Sequence, residues 1–326
     1  MQPFTYAEAN SLQSALDLAA ANRAMLIAGG TDMLQLLQED VLTPPALIGI
    51  GQLPFAAIEV GASGLRIGAM ARLVAVADDA RVQRDFPLLA QALLETASPQ
   101  VRNMATIGGN LLQRTRCLYF RDSTAPCNKR APGSGCPAQD GQNRINAIFG
   151  GSPHCIAAYP GDMAVALVTL DASVEVQGRQ GPRHIKVADL HLPPGDTPHV
   201  ETALRPGEIV TGIRIPANRF AAHSHYLKVR DRASFEWALV SVAVALQRDG
   251  DAVSAARIVA GGVGTTPWHL PDVEAHLVGR RLDATHARAA GALAIAGADP
   301  RPGNTYKVRL LQNAVERALM IAGGLL

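Results

Sequence analysis

The sequence contains 326 residues, of which 48% are hydrophobic and only 18% are charged. A chain of this length is expected to bury a sizeable core in two domains or one large domain, and the low charge argues against a disordered tail. The 30 Lys and Arg residues nearly balance the 28 Asp and Glu residues, and aromatic residues make up 4%. Neither the formal charge of +2 nor the aromatic content indicates a nucleic-acid partner.

No segment of the chain predicts a membrane span. The longest nearly apolar run is Trp237–Leu246. A spanning helix requires about 20 residues, so we expect a buried strand or helix there. The N-terminal residues lack the basic and apolar regions of a secretory signal. We therefore expect this chain to carry no targeting signal of its own. This does not fix its compartment, because a partner could carry such a signal.

The first predicted elements surround a pair of glycines. A buried strand is expected at Ala24–Ala28 and a helix start at Met33–Leu37. Between them lie Gly29 and Gly30, where backbone N–H groups can approach an anion without hindrance from a Cβ. A β-turn at the strand end is the alternative for this loop. An earlier helix is predicted from one apolar face, which comprises Leu12, Ala15, Leu16, Ala19 and Ala20.

A second glycine pair, Gly108 and Gly109, follows a helical stretch predicted at Phe86–Ala97, which Pro99 is expected to end. The chain has two such loops and lacks the P-loop lysine motif, which favours a dinucleotide over a nucleoside triphosphate as the ligand. Two side chains able to donate to phosphate or ribose oxygens flank this pair, those of Thr106 and Asn110.

All four cysteines fall within 39 residues, at Cys117, Cys127, Cys136 and Cys155. The intervals of nine, eight and eighteen residues differ from the paired spacing of a zinc ribbon and from the tight spacing of a ferredoxin. The segment is rich in Gly and Pro and has too few apolar residues to order itself, so a four-thiolate metal site would supply the missing stabilisation. Two disulfides in an oxidising compartment, or unrelated buried thiols, are the alternatives.

Basic residues crowd the same segment. Four thiolates would give a [4Fe–4S] cluster a net negative charge, which these side chains would offset. A solvated loop is the alternative explanation for their charge. The residues are Arg114, Arg116, Arg121, Lys129 and Arg130.

The C-terminal part shows strand patterns at Tyr226–Val229 and Ala238–Leu246 and a final helix at Val308–Ile321. Ile213–Pro216 is expected to end a strand and to mark a domain boundary. No catalytic triad or paired carboxylate motif stands out, so we expect the reactive atoms to belong to cofactors. The apolar face of the final helix comprises Leu310, Leu311, Ala314, Val315, Ala318 and Leu319.

Three segments, Leu26–Asp32, Ala105–Asn110 and Tyr159–Ala164, together resemble the FAD-binding subunits of the molybdenum hydroxylases, the xanthine dehydrogenase family. The resemblance implies an α+β fold. A two-part FAD-binding domain of the vanillyl-alcohol-oxidase type would span residues 1–217, with parts at about 1–55 and 56–217, and a smaller C-terminal α+β domain would span 222–326. Four further segments extend the similarity over essentially the whole chain, at Gly207–Val210, Tyr226–Arg230, Gly261–Val263 and Asn304–Lys307.

Most members of this family lack cysteines between the second glycine loop and Tyr159–Ala164. The exceptions carry an iron–sulfur insert, which residues 114–157 resemble, above all at Asn128–Cys136. The similarity is greatest to subunits of periplasmic aldehyde oxidoreductases, followed by β subunits of 4-hydroxybenzoyl-CoA reductases. The family pattern has a histidine where this chain has Asn146, which would alter hydrogen bonds around the cluster. The resemblance implies a [4Fe–4S] cluster ligated by Cys117, Cys127, Cys136 and Cys155.

The resemblance also implies how FAD would be held. Asp162 would accept a hydrogen bond from an adenosine or ribose hydroxyl, Val210 would pack on the adenine side, and Lys228 would reach the flavin region. The alternatives are a helix cap or turn for Asp162, a core position for Val210 and a solvated strand for Lys228. The pyrophosphate would be wrapped, largely by main-chain N–H groups, by Leu26, Ile27, Ala28, Gly29, Gly30, Thr31, Asp32, Met33 and Leu34, opposite Thr106, Gly108, Gly109 and Asn110.

The resemblance further implies a heterotrimer. A large partner would carry the molybdenum cofactor and hydroxylate an aldehyde, a small partner would carry [2Fe–2S] centres, and this subunit would pass electrons through FAD to an external acceptor. A subunit of an acyl-CoA reductase with reversed electron flow, or a cofactor-free scaffold with structural zinc, are the alternatives. The expected location is the periplasm, reached with a signal-bearing partner, and the alternative is the cytoplasm.

Overall fold

A computed structural model describes residues 1–21, 24–217 and 220–326 of the chain. Within these ranges, helices and strands are mixed around three β-sheets, which confirms the predicted α+β class. None of the helices described there combines the length and apolarity needed to cross a bilayer.

The N-terminal sheet is parallel, and in the described part its strand order is β1-β3-β2. The predicted helix, strand and helix start around the first glycine pair are confirmed, with Ala15 and Leu16 buried and the side chain of Ala20 outside the described part. The expectation that this strand is buried is wrong, because all residues of β2 are partly exposed and line a cavity. The elements are β1 (Thr5–Glu8), α1 (Leu12–Ala21), β2 (Met25–Ile27), α2 (Met33–Gln38) and β3 (Ala46–Gly49).

The second sheet is antiparallel, and its strand order is β4-β5-β8-β6-β7. Of these five strands, β8 comes last in sequence, yet it lies in the middle of the sheet and pairs with both β5 and β6. The long connection between β5 and β6 therefore leaves the sheet and returns to it, carrying the second glycine pair and the cysteines. The strands are β4 (Ile58–Gly61), β5 (Gly64–Gly68), β6 (Ser173–Gly178), β7 (Gly181–Lys186) and β8 (Ile209–Pro216).

Helices form the first part of this connection. The predicted helix at Phe86–Ala97 is shorter than expected and ends at Leu94, and Pro99 begins the next helix instead of ending the previous one. Proline suits this first position because its missing N–H has no partner in a helix, and the Ser98 hydroxyl accepts a hydrogen bond from the Val101 N–H at 3.3 Å. The helices are α3 (Leu73–Asp78), α4 (Ala80–Asp85), α5 (Pro87–Leu94), α6 (Pro99–Met104) and α7 (Ile107–Leu111).

Residues 114–157, here called the cysteine insert, contain little regular structure. They include helix α8 (Leu118–Arg121) and a 3₁₀ turn at Pro137–Gln139. A small apolar cluster packs Phe120 and three of the cysteines against Leu36 and Val41 from the N-terminal part. Helices α9 (Asp162–Thr169) and α10 (Val187–Leu190) follow the insert.

The third sheet is antiparallel, with the order β12-β11-β10-β9. Successive side chains of its strand β10 point into two different hydrophobic cores. Val242 and Val244 pack with the C-terminal helices, whereas Ala243 and Ala245 belong to the core of the N-terminal part of the chain. The predicted strands and final helix are confirmed, although Leu310 is only partly buried. The elements are β9 (Ser224–Val229), β10 (Val240–Asp249), β11 (Ala252–Gly261), β12 (Trp268–His269), α11 (Pro271–Leu277), α12 (Ala284–Leu293) and α13 (Tyr306–Ala322), with a 3₁₀ turn at Ala221–His223.

Candidate functional site

The two glycine pairs meet in the folded chain. A Cβ on Gly29 would overlap the carbonyl group of Met104, which immediately precedes the second loop, and a Cβ on Gly108 would lie 3.1 Å from the Cβ of Ala69. Gly30 has φ +70°, in the left-handed region that favours glycine. The glycines therefore allow close backbone approach between two segments that are distant in sequence.

The two loops line one cavity of about 320 Å³, here called the loop cavity. Its lining continues across Glu208–Val210 at the start of β8 and includes the side chains of Gln113 and Arg114, which the sequence analysis did not assign to the site. Most of the predicted FAD-binding residues line it: Leu26, Ile27, Ala28, Gly29, Gly30, Thr31, Asp32, Met33, Thr106, Gly108, Gly109 and Val210.

A second cavity of about 90 Å³, here called the Asp162 cavity, adjoins the first. Thr31, Asp32 and Gly109 line both cavities, and Asn110 and Asp162 line only the second. The Asn110 Oδ1 atom is buried and accepts no hydrogen bond from any residue that the structure describes. Such an acceptor fits a ligand that brings its own hydroxyl or N–H donor.

Asp162 is itself paired. Its Oδ1 accepts a hydrogen bond from the Tyr226 hydroxyl at 2.8 Å, and its Oδ2 accepts one from Lys228 Nζ at 2.8 Å. Burial raises the pKa of Asp162, and the nearby ammonium group of Lys228 opposes that rise. Each carboxylate oxygen has a second lone pair, so the predicted contact with a ligand hydroxyl stays open as a prediction.

Two predicted residues, Leu34 and Lys228, line neither cavity. The Leu34 side chain is 46% exposed. The Lys228 ammonium reaches the Asp162 carboxylate and the carbonyl oxygen of Glu95, at 2.8 and 2.9 Å. Lys228 is therefore not a solvated strand residue. It contacts Asp162, which lines the Asp162 cavity, and does not line that cavity itself.

Three arginines of the cysteine insert form ion pairs and are not solvated. Arg116 and Arg121 donate to the carboxylate of Asp32, and Arg114 donates to Glu201 at 2.9 Å. Burial lowers the pKa of Arg116, against the opposing effect of Asp32. These pairs are not predictable from the sequence, because the partners lie more than 80 positions apart and no local pattern indicates them.

The four cysteines line one further, small cavity, here called the cysteine cavity. Cys117, Cys127 and Cys155 are buried, Cys136 is partly exposed, and all four are free thiols, so the disulfide alternative is wrong for this structure. Burial raises the pKa of Cys155 to about 11, which the positive charge of Lys129 opposes. A thiol in such a place needs a bound metal to persist as a thiolate at neutral pH.

Polar groups are directed at two of the sulfur atoms. Asn146 Nδ2 lies 3.5 Å from Cys117 Sγ, and the Ala157 N–H donates to Cys155 Sγ at 3.4 Å. Hydrogen bonds to sulfur stabilise the thiolate form that metals require. The donor set and the burial therefore fit a sulfur-ligated cluster.

Within the described residues, no three His, Cys, Asp or Glu side chains converge closely enough to hold a metal ion. In a [4Fe–4S] cluster, the four thiolates are distributed around a larger inorganic core and do not share one ion. The cluster therefore stays a prediction, which the shared cavity supports.

Two family models match the chain. The FAD binding domain in molybdopterin dehydrogenase matches residues 2–218, and the CO dehydrogenase flavoprotein C-terminal domain matches residues 225–322.

Similar proteins span the same length. The aldehyde oxidoreductase FAD-binding subunit PaoB of Escherichia coli K12 is 45% identical over 98% of this chain and 98% of its own. The glyceraldehyde dehydrogenase medium chain of Sulfolobus acidocaldarius is 27% identical over 86% of this chain and 83% of its own. A structure of carbon monoxide dehydrogenase from Hydrogenophaga pseudoflava superposes with a TM-score of 0.77 at 26% identity, covering 99% of both chains. The predicted family is thus confirmed, and this chain belongs to the FAD-binding subunits of the molybdenum hydroxylases, which are oxidoreductases.

Proposed function

We propose that this chain is the FAD- and [4Fe–4S]-carrying subunit of a heterotrimeric, molybdenum-dependent aldehyde oxidoreductase. The observation that carries the proposal is the arrangement of all four cysteines around one cavity, in a subunit whose glycine loops line a second. The aldehyde substrate class is supported by the relative at 45% identity, which is named as an aldehyde oxidoreductase subunit.

The proposed partners are a large subunit with the molybdenum cofactor and a small subunit with [2Fe–2S] centres. Relatives named as medium chains, such as that of glyceraldehyde dehydrogenase, support an assembly with larger and smaller chains. In this complex, the large partner would take two electrons from the aldehyde. The subunit described here would receive them from the small partner and deliver them to an external acceptor. We also propose the periplasm as its location, with the cytoplasm as the alternative.

The residues of this chain would hold and orient the flavin. Backbone N–H groups of the glycine loops would approach the pyrophosphate in the loop cavity. Val210 would pack against the adenine, and Asn110 and Asp162 would accept hydrogen bonds in the adjoining cavity. FAD bound there supplies redox chemistry that can exchange electrons one or two at a time.

The visible spectrum and metal content of the purified complex test this proposal. Flavin bands with a broad iron–sulfur shoulder, together with iron that falls in Cys127→Ser, are expected. Ser123→Ala, an exposed change in the same insert, is the control and should leave iron unchanged. A colourless, zinc-loaded protein would establish the scaffold alternative instead.

Substrate assays and cell fractionation test the remaining parts. Oxidation of aldehydes by the complex is expected, and reduction of acyl-CoA thioesters without aldehyde oxidation would favour the reductase alternative. Recovery of all three subunits from the periplasmic fraction is expected. Recovery from the cytoplasmic fraction alone would contradict the proposed location.

A further inference from the structure

Three donors from the cysteine insert hold the carboxylate of Asp32. Its Oδ2 accepts a hydrogen bond from the Arg114 backbone N–H at 2.8 Å. Its Oδ1 accepts one from Arg121 Nη2 at 2.8 Å and another from Arg116. The side chains of Asp32, Arg116 and Arg121 are only 16%, 16% and 19% exposed. Charged hydrogen bonds with so little solvent exposure are stronger than those of a surface ion pair.

Asp32 is the last residue of the first glycine loop. It directly follows Thr31 and precedes helix α2, whose Leu34 N–H donates to the Gly30 carbonyl at 2.9 Å. The Asp32 side chain makes no capping hydrogen bond to this helix. The hydrogen bonds of its side chain therefore link this end of the loop to the insert.

The arginines that hold Asp32 depend on the fold of the insert. Arg116 directly precedes Cys117, and Arg121 ends helix α8 and also donates to the Thr115 carbonyl at 3.0 Å. The intervening Phe120 packs in the same apolar cluster as Cys117 and Leu36 of α2. Ordering the insert around its cysteines thus places both guanidinium groups against Asp32.

Arg116 also reaches the C-terminal part of the chain. Its guanidinium lies 4.6 Å from the ring centroid of Trp237, which lines the Asp162 cavity, and it donates to Gln113 Oε1 at 3.2 Å. One side chain from the insert therefore contacts the first glycine loop, the second-loop segment and the connection between β9 and β10.

We propose that Asp32 is a positioning residue that couples the cysteine insert to the first glycine loop, so that cluster binding and FAD binding strengthen each other. Metal binding orders an insert that cannot order itself, and the ordered insert fixes Asp32 through Arg116 and Arg121. Such linkage is reciprocal, so bound FAD also favours the ordered insert. The cluster half of this inference rests on the proposed function, whereas the link between the arginines and FAD affinity does not.

The test measures the dissociation constant of FAD in the full-length protein, assembled with its partners, before and after iron is removed with a chelator. In the native sequence, iron removal should raise the Kd by roughly tenfold, within the usual range of coupling between sites. In Asp32→Asn, the ratio of the two Kd values should fall toward one. A role of Asp32 in stability alone would lower the melting temperature and leave this ratio unchanged, which would overturn the proposal.

Arg121→Gln provides a second variant, because it weakens the link and leaves Asp32 in place. It should raise the FAD Kd several-fold in protein that still contains iron. Arg144→Gln is the matched control, since Arg144 lies in the same insert and pairs with the exposed Asp231 at 2.8 Å. Equal FAD affinity in the Arg121 and Arg144 variants would refute the coupling. If the native protein contains no iron, the proposed function fails, and the comparison of Arg121→Gln with Arg144→Gln still decides whether the insert positions the loop.

Discussion

The Lys228 ammonium and the Asp162 carboxylate form an ion pair of 2.8 Å in which the two side chains are only 1% and 4% exposed. The pair joins strand β9 of the third sheet to the start of helix α9. Tyr226, two residues before Lys228, donates to the other carboxylate oxygen. Through this group, the C-terminal part of the chain determines the charge and position of a side chain in the Asp162 cavity.

Removing one member of this pair should destabilise the protein strongly. In Lys228→Met, Asp162 stays buried without its cation, and we expect the free energy of unfolding to fall by roughly 3–5 kcal/mol. The double variant Lys228→Met with Asp162→Leu removes both charges and should recover much of this loss. Urea denaturation measures both effects.

The control is Lys186→Met, which breaks an exposed pair between Lys186 and Asp171 at 2.9 Å. Its cost should be at most about 1 kcal/mol, because solvent screens both charges. If the two lysine variants lose equal stability, burial does not govern the strength of the Asp162 pair.

A methyl group at Gly29 should weaken FAD binding. In Gly29→Ala the new Cβ meets the Met104 carbonyl, so the two glycine loops must separate. We expect the Kd of FAD to rise roughly tenfold, which corresponds to about 1.4 kcal/mol. Flavin fluorescence titration provides the measurement. Gly51→Ala is the control, since a Cβ there meets no atom within 4 Å, and a similar Kd for the two variants would contradict the expectation.

Stability should fall on acidification because of His191. Burial lowers the pKa of His191 to about 4 from the ordinary value of 6.5, and its Nε2 lies 3.0 Å from the Leu111 carbonyl oxygen. Between pH 6.5 and 4, the unfolded chain binds a proton that the folded chain does not, so the free energy of unfolding decreases as the pH falls through this window. The loss attributable to this residue reaches roughly 3 kcal/mol at the acidic end.

Denaturation curves between pH 7 and pH 4 check this effect in His191→Gln, which should show a shallower pH dependence than the native sequence. The exposed histidine of β7 supplies the control variant His184→Gln. An unchanged slope in His191→Gln would show that His191 is not the source of the acid sensitivity.

The amide of Asn146 should influence the redox potential of the proposed cluster. Its Nδ2 lies 3.5 Å from Cys117 Sγ, and a hydrogen bond to a ligating sulfur stabilises the more negative, reduced state of a cluster. Asn146→Ala should therefore shift the midpoint potential to a more negative value, as measured by redox titration of the electron paramagnetic resonance signal. Asn143→Ala removes another buried amide of the insert, which donates to the Ala138 carbonyl at 3.0 Å, and should leave the potential unchanged. Equal shifts in both variants would assign the effect to general loosening of the insert.

Features that arise from neighbouring residues are predictable from the sequence. The strand, glycine pair and helix around Gly29 are predicted because each element depends on local periodicity and on the absence of a Cβ. The cysteine insert was recognisable because its thiols are close in sequence. Where local rules allow two outcomes, prediction failed: Pro99 can end one helix or begin another, and here it begins α6.

The arrangement of charges and cavities depends on how distant segments pack together. Asp32 and Arg121 are 89 positions apart, and Asp162 and Lys228 are 66 positions apart. No local sequence pattern therefore predicts either ion pair. A carboxylate in a glycine loop is compatible with a ligand contact or an internal ion pair, and the choice depends on which distant segment brings a cation within hydrogen-bonding distance. The partial exposure of β2 has the same origin, because an apolar strand lines a cavity only when other segments pack around it and leave that face open.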